Sequence, residues 1–211
     1  MRFLRFVSVL LLLSSCAPAV YKKLQPTEGD AACIQKFKPR IERALYQASV
    51  DVAGRHLSGM LLMKRMPDSS FRIVFTNEAG FTFFDFEFSS GSGFVVHTII
   101  SKMDKEAVRK TLRKDFELLL MNPVDTPAAA VVFRKDDTYY YAYNTGSDVY
   151  YYITDARCSR LIRMERGSTR KKVVEVMRGP LRDGVPETIN IRHINFNFTI
   201  DLKRIYDHAE E

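Results

Sequence analysis

The chain has 211 residues, 46% of them hydrophobic and 27% charged, with a formal net charge of +7. That length suits one domain with enough chain to bury a core or enclose a cavity. The basic excess is modest and no nucleic-acid motif accompanies it, which argues against nucleic-acid recognition. The scattered histidines (His56, His97, His193, His208) show no metal-ligand spacing with the cysteines.

Residues 1–15 read as a secretory signal. A basic start, Met1-Arg2-Phe3-Leu4-Arg5, precedes an apolar run from Phe6 to Leu13, far short of the roughly 20 residues that span a bilayer. The run closes on Leu13-Ser14-Ser15-Cys16, which resembles the lipobox of bacterial lipoproteins and implies lipidation of Cys16 after cleavage. Several acyl chains on one cysteine hold a protein on a membrane, where a single chain does not. Arg2 and Arg5 leave with the signal, and the remaining positive charge suits anionic headgroups. Ala17 follows the cysteine where inner-membrane lipoproteins often carry Asp, so the expected place is the outer membrane, facing the periplasm. Residues 16–29 read as a polar tether and residues 30–211 as the folded domain. Cys33 and Cys158 remain as an even pair in an oxidising compartment; a disulfide and two separately buried thiols are both compatible with the sequence.

Asp30 is placed to cap a short helix that Pro39 stops. Strands are expected near 43–53, 57–65, 70–77, 80–88 and 93–100. A helix follows, with Ser101 and Asp104 as a capping-box-like start and Val108, Leu112, Phe116, Leu119 and Leu120 as its apolar stripe. Asn122-Pro123 ends it. Further strands are expected near 129–135, 138–144, 148–154, 158–166, 171–178 and 186–202, the last with a bulge or corner near His193-Ile194. The fold class is mainly β with α: a strongly curved antiparallel sheet of about 11 strands, an unclosed half-barrel with a helix over its concave face.

A two-residue turn at Glu78-Ala79 would pair Arg72 with Asp85, Ile73 with Phe84, Phe75 with Thr82 and Phe71 with Phe86. Alternation then puts Phe71, Ile73, Phe75, Phe84, Phe86 and Phe88 on one inward face. The tyrosines at 139–141, 143 and 150–152 fit either a pocket or membrane surface, or plain strand composition. Two basic clusters, Lys102, Lys105, Arg109, Lys110, Arg113 and Lys114 on the helix and Arg166, Arg170, Lys171 and Lys172 around a turn, are either docking charges or solvated faces.

The exported meander–helix–meander with an apolar concave face resembles the LolA/LolB lipoprotein-carrier superfamily. The segment Arg72 to Gly80 is similar to the LolB strand that runs into Thr-Asn-Pro-Leu-Gly, with Thr76, Asn77 and Gly80 matching and Glu78-Ala79 in the Pro-Leu positions. The resemblance implies a cavity for acyl chains of lipoproteins or lipids, lined by Met60, Leu62, Phe71, Ile73, Phe75, Phe84, Phe86, Phe88, Leu112 and Phe116, and possible exchange with a periplasmic carrier protein. Without the projecting leucine at Ala79, the family's membrane-insertion step does not carry over. No nucleophile–base pair, paired catalytic carboxylates or cofactor motif is present in the sequence, and the glycine–serine stretch Ser89 to Gly93 lacks a nucleophile-elbow context. The two functions in view are an acyl-chain carrier or acceptor, and a structural accessory lipoprotein whose half-barrel is filled by its own side chains.

Overall fold

The computed structural model describes residues 20–206 except 53, 90–92 and 127–128; Cys16 and the signal segment lie outside the described residues. The chain opens with the short strand β1 (Gln25–Pro26) and a 3₁₀ helix over Ala31–Phe37. Asp30 caps that helix as expected, its carboxylate accepting from the Ala32 N–H at 2.9 Å. Five strands follow: β2 (Arg43–Val52), β3 (Arg55–Arg65), β4 (Phe71–Thr76), β5 (Thr82–Ser89) and β6 (Gly93–Ile99). Then come α1 (Glu106–Leu119), a second 3₁₀ turn at Asn122–Asp125, and β7 (Ala130–Lys135), β8 (Thr138–Thr145), β9 (Asp148–Asp155), β10 (Leu161–Gly167) and β11 (Lys172–Arg178). The small hairpin β12 (Leu181–Arg182) and β13 (Val185–Pro186) precedes β14 (Thr188–His193) and β15 (Phe198–Ile205).

Thirteen strands form one antiparallel sheet in the order β1-β7-β8-β9-β10-β11-β14-β15-β2-β3-β4-β5-β6. The two ends do not pair with each other, so the sheet stays open. The meander expected from the short, evenly spaced strands is thus present, and the β15–β2 pairing joins its two halves. Two additions raise the count from about eleven. The segment Gln25–Pro26, expected within a tether, pairs with β7 at the sheet edge. The long strand expected at 186–202 is two strands, because residues 194–197 turn the chain fully back and β14 pairs antiparallel with β15. The phase switch at His193 marks a hairpin, not a bulge.

One side of the sheet packs on α1. Leu112, Phe116, Leu118 and Leu119 are buried together with Tyr46, Leu61, Met63, Ile73, Phe75, Phe84, Phe86, Ile191 and Ile200 in a single cluster. The helix begins later than expected. Residues 100–105 form turns, and Lys105 stands at the N-cap without a side-chain bond, so neither Ser101 nor Asp104 caps it. Its first-turn acid is Glu106, favourably placed against the positive end of the helix dipole.

β8 and β9 are buried on both faces, which settles the tyrosine run. Tyr141, Tyr143, Tyr150 and Tyr152 join the main core, while Tyr140 and Tyr151 point to the opposite face with Ala142, Val149 and Ile153. That outer face is covered by the N-terminal segment: Tyr21 stacks on Tyr151 with centroids 4.1 Å apart and donates to Glu165 Oε2 at 2.8 Å. Val20 N–H donates to Arg170 O, and Thr27 N–H to Val132 O. Residues 20–29 are therefore a strap on the sheet and not a tether. Cys33 and Cys158 are joined as a disulfide with Cα atoms 6.4 Å apart, linking the first 3₁₀ helix to the β9–β10 turn. A cross-link spanning 125 residues stabilises by on the order of 4–5 kcal/mol in the chain-entropy model.

Burial pushes the buried phenols upward, to about 12 for Tyr143 and for Tyr151, and further for Tyr21, Tyr150 and Tyr152. An unfolded tyrosine ionises near pH ~10, so the native state binds more protons above that point. The stability these phenols contribute is complete below about pH 10 and is lost as pH rises through the folded values. Ultraviolet titration should show these phenolates appearing together with loss of the native circular dichroism spectrum; independent ionisation near pH ~10 with the fold intact would contradict the two-sided burial.

Candidate functional site

The β4–β5 hairpin positions the phenylalanines that the sequence singles out. Its connection is longer than Glu78-Ala79. Asn77 N–H donates to Phe81 O at 2.9 Å, and the Asn77 side-chain oxygen accepts from Phe81 N–H at 2.8 Å, closing a loop in which Gly80 takes a left-handed φ of 84°. The register accordingly differs by two residues from the expected one: Phe71 faces Phe88, Arg72 faces Glu87, Ile73 faces Phe86 and Phe75 faces Phe84. An even shift leaves every side chain on its face, so all six apolar residues remain inward and buried. Arg72 still reaches Asp85 through two bonds of 2.7 and 2.6 Å, now diagonally. Phe81 lies outside β5 in the turn and is 58% exposed.

The two β3 residues are placed in the opposite phase from that expected. Met60 is 37% exposed and Leu62 half-buried on the outer face, while Leu61 and Met63 point inward. The run Met60-Leu61-Leu62-Met63 is apolar at every position, so its phase is marked only by the flanking Ser58 and Lys64, which alternate with Met60 and Leu62 on the outer face. Gly59, in phase with the inward Leu61 and Met63, sits where a Cβ would collide with the Thr76 carbonyl oxygen.

Most of the expected lining residues are buried against one another. Ile73, Phe75, Phe84, Phe86, Leu112 and Phe116 fill the space between sheet and helix with their own rings and methyls; Phe84 and Phe86 stack at 4.5 Å, and Phe116 lies 5.9 Å from Phe84. Of the expected set, Phe71 and Phe88 border open space beside the helix.

That space is a cleft of about 1250 Å³ beside α1. Its apolar surface comes from Phe71, Phe88, Phe94 and Val96 of β4–β6, together with Ile41, Leu120 and Tyr150. Its charged surface comes largely from α1. Arg109, Lys110, Arg113 and Lys114 of the first basic cluster line the cleft, and with Lys38 and Arg65 they set six cations against Glu106, Glu117 and Asp125. The helix thus turns one stripe into the core and presents the neighbouring basic stripe to the cleft. Arg113 donates to Glu117 at 2.7 Å and lies 5.4 Å over the Phe94 ring, a cation–π arrangement. Tyr150 donates to Glu117 at 3.2 Å, and burial followed by the Glu117 charge raises its phenol. Lys114 pairs with Asp148 and Lys38 with Asp125.

A buried ionic network beneath the cleft is not evident in the sequence. Asp115, on the inward side of α1, accepts from Arg166 Nη2 at 2.9 Å and lies 2.7 Å from His193 Nε2. All three are buried, and Arg166 continues to Asp148 at 3.4 Å. His193, in the sequence an isolated histidine, is also flanked by Phe196 and Phe198. The second basic cluster divides: Arg166 is internal, Lys172 pairs with Glu165 and Glu175, and Arg170 and Lys171 stay exposed on the turn. Because these residues are 51 and 78 positions from Asp115, no local spacing announces them. The one available signal is an acid within an otherwise apolar helix stripe.

No family model matches the chain, and no curated protein matches it. Among solved structures it is similar to a DUF1329 family protein from Desulfovibrio piger, with 10% identity, 89% of this chain and 95% of that chain covered, and a TM-score of 0.45. A likeness that slight carries neither fold nor function.

Removing Asp115 strips the buried Arg166 of its 2.9 Å partner and leaves it the longer 3.4 Å contact with Asp148. Asp115→Ala should cost about 3–5 kcal/mol in urea unfolding. Among the described residues Arg166 Nε and His193 Nδ1 find no hydrogen-bond partner, so replacing all three residues together (Asp115→Leu, Arg166→Met, His193→Phe) should recover most of that loss. An Asp115→Ala protein as stable as the parent would show that the bridge does not hold α1.

Proposed function

We propose that this chain is a non-catalytic, lipid-anchored protein of the bacterial outer membrane, facing the periplasm, that holds the acyl part of an anionic amphiphile in the cleft beside α1. The observation that carries this reading is the juxtaposition of the aromatic surface Phe71, Phe88 and Phe94 with the basic stripe of α1 in one open cleft. An acyl chain on the rings and a carboxylate or phosphate near Arg109 and Lys110 would satisfy both surfaces. The volume of about 1250 Å³ is ample beside the roughly 300–1,000 Å³ usual for small-ligand pockets.

Energetics favour exchange over storage. A fully buried methylene contributes ~0.8 kcal/mol, but a chain lying in an open cleft is covered on only part of its circumference. The net gain stays small enough for release. Charge in the cleft adds attraction that salt weakens. The resemblance to the LolA/LolB superfamily supports the finer form of the proposal, an acceptor of lipoprotein acyl chains delivered by a periplasmic carrier. Glu78 and Ala79 in the turn do not support the insertion step of that family. No catalytic role is proposed: among the described residues the buried Asp115 and Glu165 are committed to ion pairs.

A second reading rests on the filled interior. A half-barrel packed with its own phenylalanines also suits a structural accessory lipoprotein of an envelope assembly, with the cleft taking a partner's side chains. Ligand binding separates the two. The mature chain carrying Cys16→Ser should bind a fluorescent fatty-acid analogue, more weakly as salt rises. Phe94→Asp should weaken binding at least tenfold, since losing one aromatic contact removes about 1.5 kcal/mol or more. Absence of probe binding, with no lipid in a mass spectrum after mild isolation, would leave only the accessory reading.

A further inference from the structure

The strap that covers β8 and β9 also fixes where a membrane anchor must emerge. Val20 N–H donates to Arg170 O at 3.2 Å, and Tyr21 is held by its stack on Tyr151 and its bond to Glu165. Only residues 17–19 separate Cys16 from Val20, and four residue steps span at most about 14 Å. A lipid on Cys16 is therefore leashed to Val20, beside the Ser168–Lys171 turn, by at most that length.

That turn has a particular neighbour. β10 and β11 meet at residues 168–171, and β14 runs antiparallel to β11 with His193 opposite Val174. The loop after β14 thus lies beside the same turn, tied to it by Ile194 N–H donating to Val173 O at 2.9 Å. In this loop Ile194 is 45% and Phe196 48% exposed, flanked by the neutral Asn195 and Asn197. One end of the sheet therefore gathers three features: the exit of the anchored terminus, the exposed cations Arg170 and Lys171, and two exposed apolar side chains.

We infer that this end of the sheet, formed by the Ser168–Lys171 turn and the Ile194–Asn197 loop, seats directly on an anionic lipid surface. The inference rests on the proposed lipidation of Cys16. Arg170 and Lys171 meet the headgroups, while Phe196 and Ile194 enter the interfacial layer, where aromatic side chains favour the boundary between water and hydrocarbon. The leash is too short for the domain to tumble freely above the bilayer, so these contacts form at high local concentration. The bilayer, not a protein, is the occupant favoured here, because the anchor brings it within reach and its charge is complementary.

The chain contains no tryptophan, which permits a direct test. Lipid-anchored protein carrying Phe196→Trp is reconstituted into vesicles of phosphatidylcholine with phosphatidylglycerol, with and without bromine on the acyl chains. Emission should shift to the blue and lose most of its intensity with the brominated lipid. Ile194→Trp should behave alike, and serves if the first variant folds poorly. Met177→Trp, at the far end of β11 and exposed, should stay solvent-like and unquenched. Equal, solvent-like emission from all three in vesicles, with Cys16 shown by mass spectrometry to be lipidated, would overturn the seating while leaving the anchor in place. A blue shift without quenching would mean that a protein surface, such as a second copy, covers the loop, and would also overturn it. An unlipidated Cys16 would overturn the anchor and the seating together.

Discussion

The bridge from Asp115 to Arg166 and His193 is the constraint on which the rest of this molecule depends. It fastens the inward side of α1 to β10 and β14 at a depth where water cannot compensate either charge. An open antiparallel sheet has a concave side that must be covered by something. Here the bridge fixes α1 in that role, and Leu112, Phe116 and Leu119 follow it into the phenylalanine core. Buried ion pairs contribute little net stability compared with apolar groups of the same shape. Their consequence is orientation: an acid on the inward stripe admits one rotation of the helix, and that rotation presents Arg109, Lys110, Arg113 and Lys114 to the cleft.

The half of the sheet away from the hairpin of phenylalanines is organised differently. β8 and β9 bury both faces, so they need a second covering layer, and the N-terminal strap supplies it through Tyr21 and Leu24. The disulfide then ties the segment just after the strap to the β9–β10 turn. Together these features make residues 20–29 part of the folded body and place the start of the described chain at one defined end of the sheet.

Much of this organisation is legible in the sequence, for identifiable reasons. Strict alternation in Phe71-Arg72-Ile73 and in Phe84-Asp85-Phe86 reports which side faces inward, even though the loop from Asn77 to Phe81 moves the register by two. Where alternation fails, so does the reading. Met60 to Met63 is apolar throughout, and only the flanking Ser58 and Lys64 mark its outward phase. The tyrosine run looks ambiguous because both faces of its strands are buried, which erases the polar phase that normally marks solvent. The site is the least legible part. The cleft joins residues from 38 to 150, and its basic wall reads as an ordinary solvated helix face until Phe71, Phe88 and Phe94 are placed opposite. The sealed interior could not be inferred either, since a row of inward phenylalanines describes equally well a lined cavity and a filled one.

The proposed acyl ligand would lie along α1, where the cleft opens, and not within the packed interior of the half-barrel. Photo-crosslinking with a diazirine-bearing fatty acid, followed by peptide mapping, measures this most directly. The label is expected on Phe88, Phe94, Val96 and the 106–117 stretch of α1. Labelling concentrated on Ile73, Phe75, Phe84 and Phe116, with the cleft residues untouched, would contradict the account and show that the helix opens to admit its ligand.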